Sequence, residues 1–278
     1  MRADLHLHSV YSDGRFTPSQ LMERAKRAGL SLVSVTDHDS MEGENEKRAA
    51  AEAAGLRFVN GWEISAYAEG KVHVLGYACR RSSVYDGFLK QRTEGALLRA
   101  DDMRQKANRA LGTDVSMEEI ERFHLQKGAP LHTMHVVAAF AERLRTPASV
   151  LYPELFVKGK PAYSSLCRPT PIDAIEMIHA LGGIAVLAHP VRTGLCGNEL
   201  ETLVNQLVSN GLDGIECHYT THTVQETEAL ISFANDRKLL ITGGSDFHAD
   251  DGIHIVGCPK FEPDCRLLDV LSVHGGLQ

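Results

Sequence analysis

Seven short apolar, strand-like runs punctuate the chain, at 3–7, 32–35, 57–59, 71–77, 184–188, 213–217 and 239–242. Between several of them lie amphipathic helical patterns with clear start and stop signals. Thr17-Pro18 places a hydroxyl at the N-cap and proline at the first helical position, and Gly29 closes that helix. Thr170-Pro171 repeats the device, and Gly182-Gly183 ends the helix over 172–181. Strands alternating with helices predict βα units around a parallel sheet, an α/β fold.

The alternation fails between about residues 80 and 165. There, 86–111 reads as one long charged helix, Ser116-Met117-Glu118-Glu119 as a capping box, and 135–144 as a third helical period. The expected organisation is a barrel domain over 1–79 and 166–278, with a helical insertion subdomain over 80–165 contributing to the substrate pocket. A chain of 278 residues accommodates both.

Composition excludes several classes. No run of eighteen apolar residues is present, so no membrane span is expected. The N-terminus enters a strand pattern without a charged start and apolar stretch, which predicts a cytoplasmic protein. Six scattered cysteines form no C-x-x-C pair and predict reduced thiols rather than a disulfide framework. A formal net charge of −7 without a long basic block argues against binding duplex DNA. A small anionic substrate remains compatible, because bound cations invert the local charge.

Fourteen histidines are the compositional anomaly. His6 and His8 stand two apart on the first strand, so both imidazoles point to one face. Asp13 precedes Gly14 in the following loop, where it could equally form a turn. The next strand ends in Thr36-Asp37-His38-Asp39, with Asp39 a possible helix cap, and the third ends in Gly61-Trp62-Glu63. His73 lies inside an apolar strand, His189 follows the fifth, and Asp246 and His248 follow the last. Each motif alone has a bland reading as a turn, cap or surface group. Six such sites at successive strand ends are hard to produce by accident. In a barrel, side chains at those ends converge on one mouth. A mixed imidazole and carboxylate set suits Mn²⁺, Fe²⁺ or Zn²⁺.

These residues resemble the PHP (polymerase and histidinol phosphatase) family of metal-dependent phosphoesterases, within the amidohydrolase superfamily. The resemblance rests on His6-Leu7-His8-Ser9, Tyr11-Ser12-Asp13-Gly14, Thr36-Asp37-His38-Asp39, Gly61-Trp62-Glu63, His73-Val74-Leu75-Gly76-Tyr77, Leu187-Ala188-His189-Pro190 and Gly244-Ser245-Asp246-Phe247-His248. It implies a distorted (β/α)₇ TIM-like barrel holding two or three divalent ions, manganese first, with iron or zinc as alternatives. By matching motifs, one ion takes His6, His8, Glu63 and Asp246; a second takes Asp13, His38 and His248; a third shares Glu63 and adds His73 and His189.

Within the family, the chain resembles a branch with a helical insertion. Its members hydrolyse 3′,5′-nucleoside bisphosphates, small cyclic phosphates or short RNA from the 5′ end. The implied activity is phosphate ester hydrolysis by a metal-bridged hydroxide, on small nucleotides or sugar phosphates. The alternatives are a 5′→3′ exonuclease on short RNA, a histidinol-phosphate phosphatase, or a metal-binding regulatory module without turnover. Thr133-Met134-His135 stands where relatives often carry Arg-x-His, so a bidentate phosphate fork is missing. That departure points towards a cyclic sugar phosphate or another small ester.

Asp246, His189 and His248 are the expected catalytic groups, the two histidines being candidate proton donors if not committed as ligands. Lys158, His222, His135, Arg192 and Arg15 are the expected substrate contacts, with Lys158 in a Lys-Gly-Lys segment that resembles one in that branch. His124, His179, His254 and His274 read as packing or surface histidines.

Overall fold

The computed structural model describes residues 1–68, 70–124 and 130–275. The backbone divides into two compact units, one of 1–85 with 169–278 and one of 86–168.

The first unit is built on seven strands whose spatial order follows the chain: β1 (Ala3–Leu7), β2 (Leu32–Val35), β3 (Arg57–Ala68), β4 (Gly70–Tyr77), β5 (Ile184–Leu187), β6 (Gly214–Tyr219) and β7 (Leu240–Gly244). A parallel bridge between Leu7 and Phe247 links the two ends, giving a nearly closed barrel. Two backbone bonds reinforce this seam: Asp246 N–H donates to the His6 carbonyl (2.8 Å) and His8 N–H to the Phe247 carbonyl (3.0 Å). Along the seam, a Cβ on Gly244 would stand 2.3 Å from that of His6, so only glycine lets the strands approach there.

Helices α1 (Pro18–Arg27) and α2 (Glu44–Ala54) follow β1 and β2. In the second unit, helices α3 (Ser83–Leu111, whose first residues belong to the barrel unit), α4 (Met117–Glu121), α5 (Thr133–Leu144) and α6 (Ala148–Leu151) occur in sequence. Then α7 (Pro171–Ala180), α8 (Asn198–Ser209), α9 (Val224–Asp236) and α10 (Cys265–Val273) complete the barrel unit. Thr17, Ser116 and Thr170 each form the capping box their spacing predicts, satisfying first-turn N–H groups. The barrel interior is apolar, with Leu5, Leu32, Val59, Leu75, Ile184, Val186 and Leu240 in one cluster. The second unit has its own core, around Ala96, Met103, Val136, Phe140 and Phe156.

One expectation needs correction. The sheet is not wholly parallel: β4 runs antiparallel to both β3 and β5. Nor does the third strand stop at Glu63, because β3 continues to Ala68 and pairs residue by residue with β4. An antiparallel pair needs no crossover helix, so none separates β3 from β4. All six cysteines are free. Among the described residues, no helix is long and apolar enough to cross a membrane.

Candidate metal centre

Strand reversal explains how His73 reaches the others. Because β4 runs backwards, its early half lies at the end where the parallel strands finish. His73 sits opposite Ser65, and its carbonyl accepts from the Ala188 N–H (3.0 Å) at the end of β5. Glu63, midway along β3, is level with the end of β2, bridged to His38. At three other positions the chain enters the left-handed region just where a site residue follows a strand: Asp39 (φ 52°), His189 (φ 26°) and Asp246 (φ 54°). Such backbone costs roughly 1–3 kcal/mol each and turns the chain abruptly at the mouth.

Three groups of donor atoms, each within 4.8 Å of one another, result: His6, His8, Glu63 and Asp246; His8, Asp13, His38 and His248; and His38, Glu63 and His73. His189 joins through Glu63, its Nε2 lying 3.0 Å from Oε1. Eight of the nine candidate ligands thus fall within these groups and the ninth adjoins them. In the third group His38 stands with Glu63 and His73, and His189 and His73 both face Glu63 Oε1, at 3.0 and 2.6 Å.

The first group gives the sharpest test of fit to a cation. His6 Nε2 and His8 Nε2 each lie 3.3 Å from Glu63 Oε2, and 3.3 and 3.1 Å from Asp246 Oδ1. All four atoms are buried and none has a hydrogen-bond partner. Left unsatisfied, each buried polar atom costs about 1–3 kcal/mol. Ligand atoms about 2.0–2.2 Å from one ion stand roughly 2.8–3.6 Å apart at bond angles of about 90–109°. The observed edges have that length. These residues fit a divalent ion.

Outer contacts orient the rings. Glu216, fully buried on β6, takes His6 Nδ1 at 2.9 Å and the His189 N–H at 2.8 Å. His248 Nδ1 donates to the Asp246 carbonyl at 2.8 Å, which aims Nε2 towards Asp13 at 3.2 Å. Asp37 accepts from Ser9 N–H, Ser9 Oγ and Ser12 Oγ, each at 2.7 Å, and pairs with buried Lys47 at 2.6 Å. That pins the loop carrying Asp13. Sequence reading missed Glu216 as a site residue. Its only signal was a carboxylate inside an apolar strand, between Ile215 and Cys217.

Electrostatics follow from crowding. Burial pulls the His6 imidazole down, yet Glu216, Glu63 and Asp246 outweigh it and hold it well above its ordinary pKa. Burial likewise opposes His8, but Asp246 and Glu63 raise it to about 9. Against burial, the surrounding histidines hold the Glu63 and Asp246 carboxyls well below the usual range. The pocket therefore favours positive charge, and a cation binding to neutral imidazole displaces protons. Replacing Glu216 by glutamine is expected to weaken divalent-metal affinity about 10–100-fold, measured by competitive chelator titration. Unchanged affinity would show that Glu216 serves packing alone.

The expected substrate contacts are placed variously. Arg192 is half exposed and donates through Nη1 to the Tyr219 hydroxyl (2.6 Å) and to Asp246 Oδ2 (3.0 Å). Arg15 is exposed, and its N–H donates to the His248 carbonyl (2.9 Å). His222 donates through Nδ1 to the Cys217 carbonyl (3.0 Å), leaving a buried Nε2 with no hydrogen-bond partner. Lys158 and His135 belong to the second unit, where Lys158 is exposed and buried His135 accepts the His132 N–H at Nδ1 (3.0 Å).

The barrel and its donor set define a metal-dependent hydrolase. Comparison with known proteins narrows this class. Residues 4–129 match the PHP domain model. A 3′,5′-nucleoside bisphosphate phosphatase of Chromobacterium violaceum is 31% identical over 277 residues, covering 95% of this chain and 93% of the relative. A phosphoribosyl 1,2-cyclic phosphate 1,2-diphosphodiesterase of Eggerthella lenta is 30% identical over 264 residues, covering 91% and 96%. Among solved structures, an amidohydrolase from Chromobacterium violaceum with bound sulfate superposes with a TM-score of 0.86 at 26% identity, covering 99% of this chain and 97% of that one. The chain belongs to the PHP family of metal-dependent phosphoesterases, hydrolases acting on phosphate esters.

Proposed function

We propose that the protein hydrolyses the phosphate ester of a small nucleotide or sugar phosphate, either a phosphomonoester or a small cyclic phosphate, in the cytoplasm. His6, His8, Asp13, His38, Glu63, His73, His189, Asp246 and His248 would hold two or three divalent ions, manganese first among them. The observation that carries this reading is the square of four buried, unpartnered donor atoms from His6, His8, Glu63 and Asp246. When bound, divalent ions supply Lewis acidity at the phosphoryl oxygens and acidify water.

The chain's own residues do the rest. Asp13, Glu63 and Asp246 provide the hard oxygen donors, and the imidazoles complete the set without adding negative charge. Arg192 and Arg15 supply cationic forks for a phosphate dianion, and His222, with its hydrogen at Nδ1, offers Nε2 as an acceptor for a substrate hydroxyl. On the face of the hairpin that carries Glu63 and His73, Val59 and Leu75 belong to the buried apolar cluster of the barrel interior. A low-dielectric floor strengthens every charge interaction above it.

The test is a substrate screen of manganese-loaded protein against nucleoside bisphosphates, mononucleotides, small cyclic phosphates and short 5′-phosphorylated RNA. The highest kcat/KM is expected on a small ester. Turnover confined to RNA would overturn this reading in favour of an exonuclease.

A further inference from the structure

Release of the alcohol from an alkyl phosphate needs a proton, and the two histidines expected to give it are taken. His189 Nε2 faces Glu63 at 3.0 Å and His248 Nε2 faces Asp13 at 3.2 Å, both within the donor cluster. A third histidine stands beside them. His254, in the loop after β7, directs Nδ1 to Asp251 Oδ2 at 2.7 Å and Nε2 to the Tyr219 hydroxyl at 3.4 Å. Tyr219 in turn donates to Asp246 Oδ2 at 2.8 Å. His254 Nε2 is therefore no farther from that carboxylate oxygen than those two distances joined.

The partners of this imidazole decide which ring nitrogen is held and which faces the site. The Tyr219 hydroxyl has one hydrogen, and Asp246 Oδ2 can only accept it. Arg192 Nη1 approaches the same hydroxyl as a donor, at 2.6 Å. The hydroxyl oxygen therefore has no hydrogen left for His254 Nε2, which faces it at 3.4 Å. On the other side, Asp251 is an acceptor. Burial works against its ionisation, but His254 and the Ile253 and His254 N–H groups hold its carboxyl down to about 2. Nδ1 therefore carries the hydrogen that meets Asp251, which leaves Nε2 as the nitrogen that can take up and release a proton.

The turn that presents this ring is itself built. Asp251 Oδ1 accepts the N–H groups of Ile253 and His254, each at 2.8 Å, so one carboxylate both closes the loop and orients the imidazole. The His254 side chain is 18% exposed, enough to meet a substrate without losing its partner. An i,i+3 pair that only closed a turn would have no reason to face the hydroxyl bonded to a candidate metal ligand.

We propose that His254, oriented by Asp251, is the general acid that protonates the leaving oxygen of the phosphate ester. The proposal rests on the phosphoesterase reading above and assigns its missing proton donor. As the water oxygen bonds to phosphorus, the bond from phosphorus to the leaving oxygen breaks. The Nε2 proton passes to that oxygen, and the alcohol departs neutral. The proton lost by the attacking water goes to solvent, from which His254 regains one, so one ester and one water give one alcohol and one phosphate.

The test compares leaving groups with the manganese-loaded enzyme. A nitrophenolate leaves as a stable anion, whereas an alkoxide does not. In His254→Gln, the loss of kcat on an alkyl phosphate is expected to exceed the loss on p-nitrophenyl phosphate by about 10²-fold, the usual worth of a general acid. Asp251→Asn should tilt the ratio in the same direction by a smaller factor. Equal losses on the two esters, or no loss on either, would overturn the assignment. So would a fall in metal content per chain in His254→Gln, which would make His254 a prop for Asp246. If the wild type hydrolyses neither ester, the phosphoesterase reading falls and this proposal with it.

Discussion

Replacing Asp246 by asparagine is expected to lower kcat/KM for phosphate ester hydrolysis by more than about 10³-fold, above the roughly 10²–10³ that one electrostatic donor is worth elsewhere. The geometry explains why an isosteric change should be so costly. Tyr219 and Arg192 both donate to Oδ2. The asparagine carbonyl must therefore take that position, which forces its NH₂ to the place of Oδ1. There it would point a pair of hydrogens at the space bounded by His6 Nε2 and His8 Nε2. A donor replaces a ligand, and one negative charge is lost. Volume is conserved, so the fold should persist, as circular dichroism can check. His8→Ala is expected to give a comparable loss, since His8 belongs to two of the three donor groups. Wild-type turnover in either variant would remove these residues from the site.

Stripping the metal with a chelator should lower the melting temperature by about 10 °C. A ligand present at a thousand times its dissociation constant stabilises the native state by about 4 kcal/mol, and each kcal/mol shifts the midpoint of a chain near this size by about 2–4 °C. Manganese should restore the original value in wild type but not in Asp246→Asn. The sign with pH follows from His8. Its pKa of about 9 means that protons compete with the cation for the imidazole. The stabilisation by added manganese should therefore grow as pH rises through neutrality and fade in acid. A midpoint indifferent to chelator, followed by differential scanning fluorimetry, would argue that the cluster binds no ion.

Much of the site was legible because its chemistry is local. His6 and His8 share a strand face by the two-residue period, and Asp246 and His248 follow a strand within a single motif. The seven strands and the capped helices were readable for the same reason: hydrophobic alternation and N-cap hydroxyls act within a few residues. Glu216, Tyr219 and the Asp251–His254 pair were not legible. A carboxylate inside a strand, or a histidine in a loop, carries no sign of which remote group it faces. Glu216 meets His6 across 210 positions of chain, and Tyr219 meets Asp246 across 27.

Sequence alone determined the kinds of donor atoms available, their places near strand termini, and the family to which they belong. Only the tertiary structure decided how β4 runs. Its reversal brings His73 to the mouth, and continuing β3 past Glu63 makes the hairpin that allows it. The physical reason is that strand direction depends on which edges pair and how a turn closes, a competition among distant backbone hydrogen bonds. Hydrophobic pattern reports which face of a strand is buried, and that face is the same whichever way the strand points.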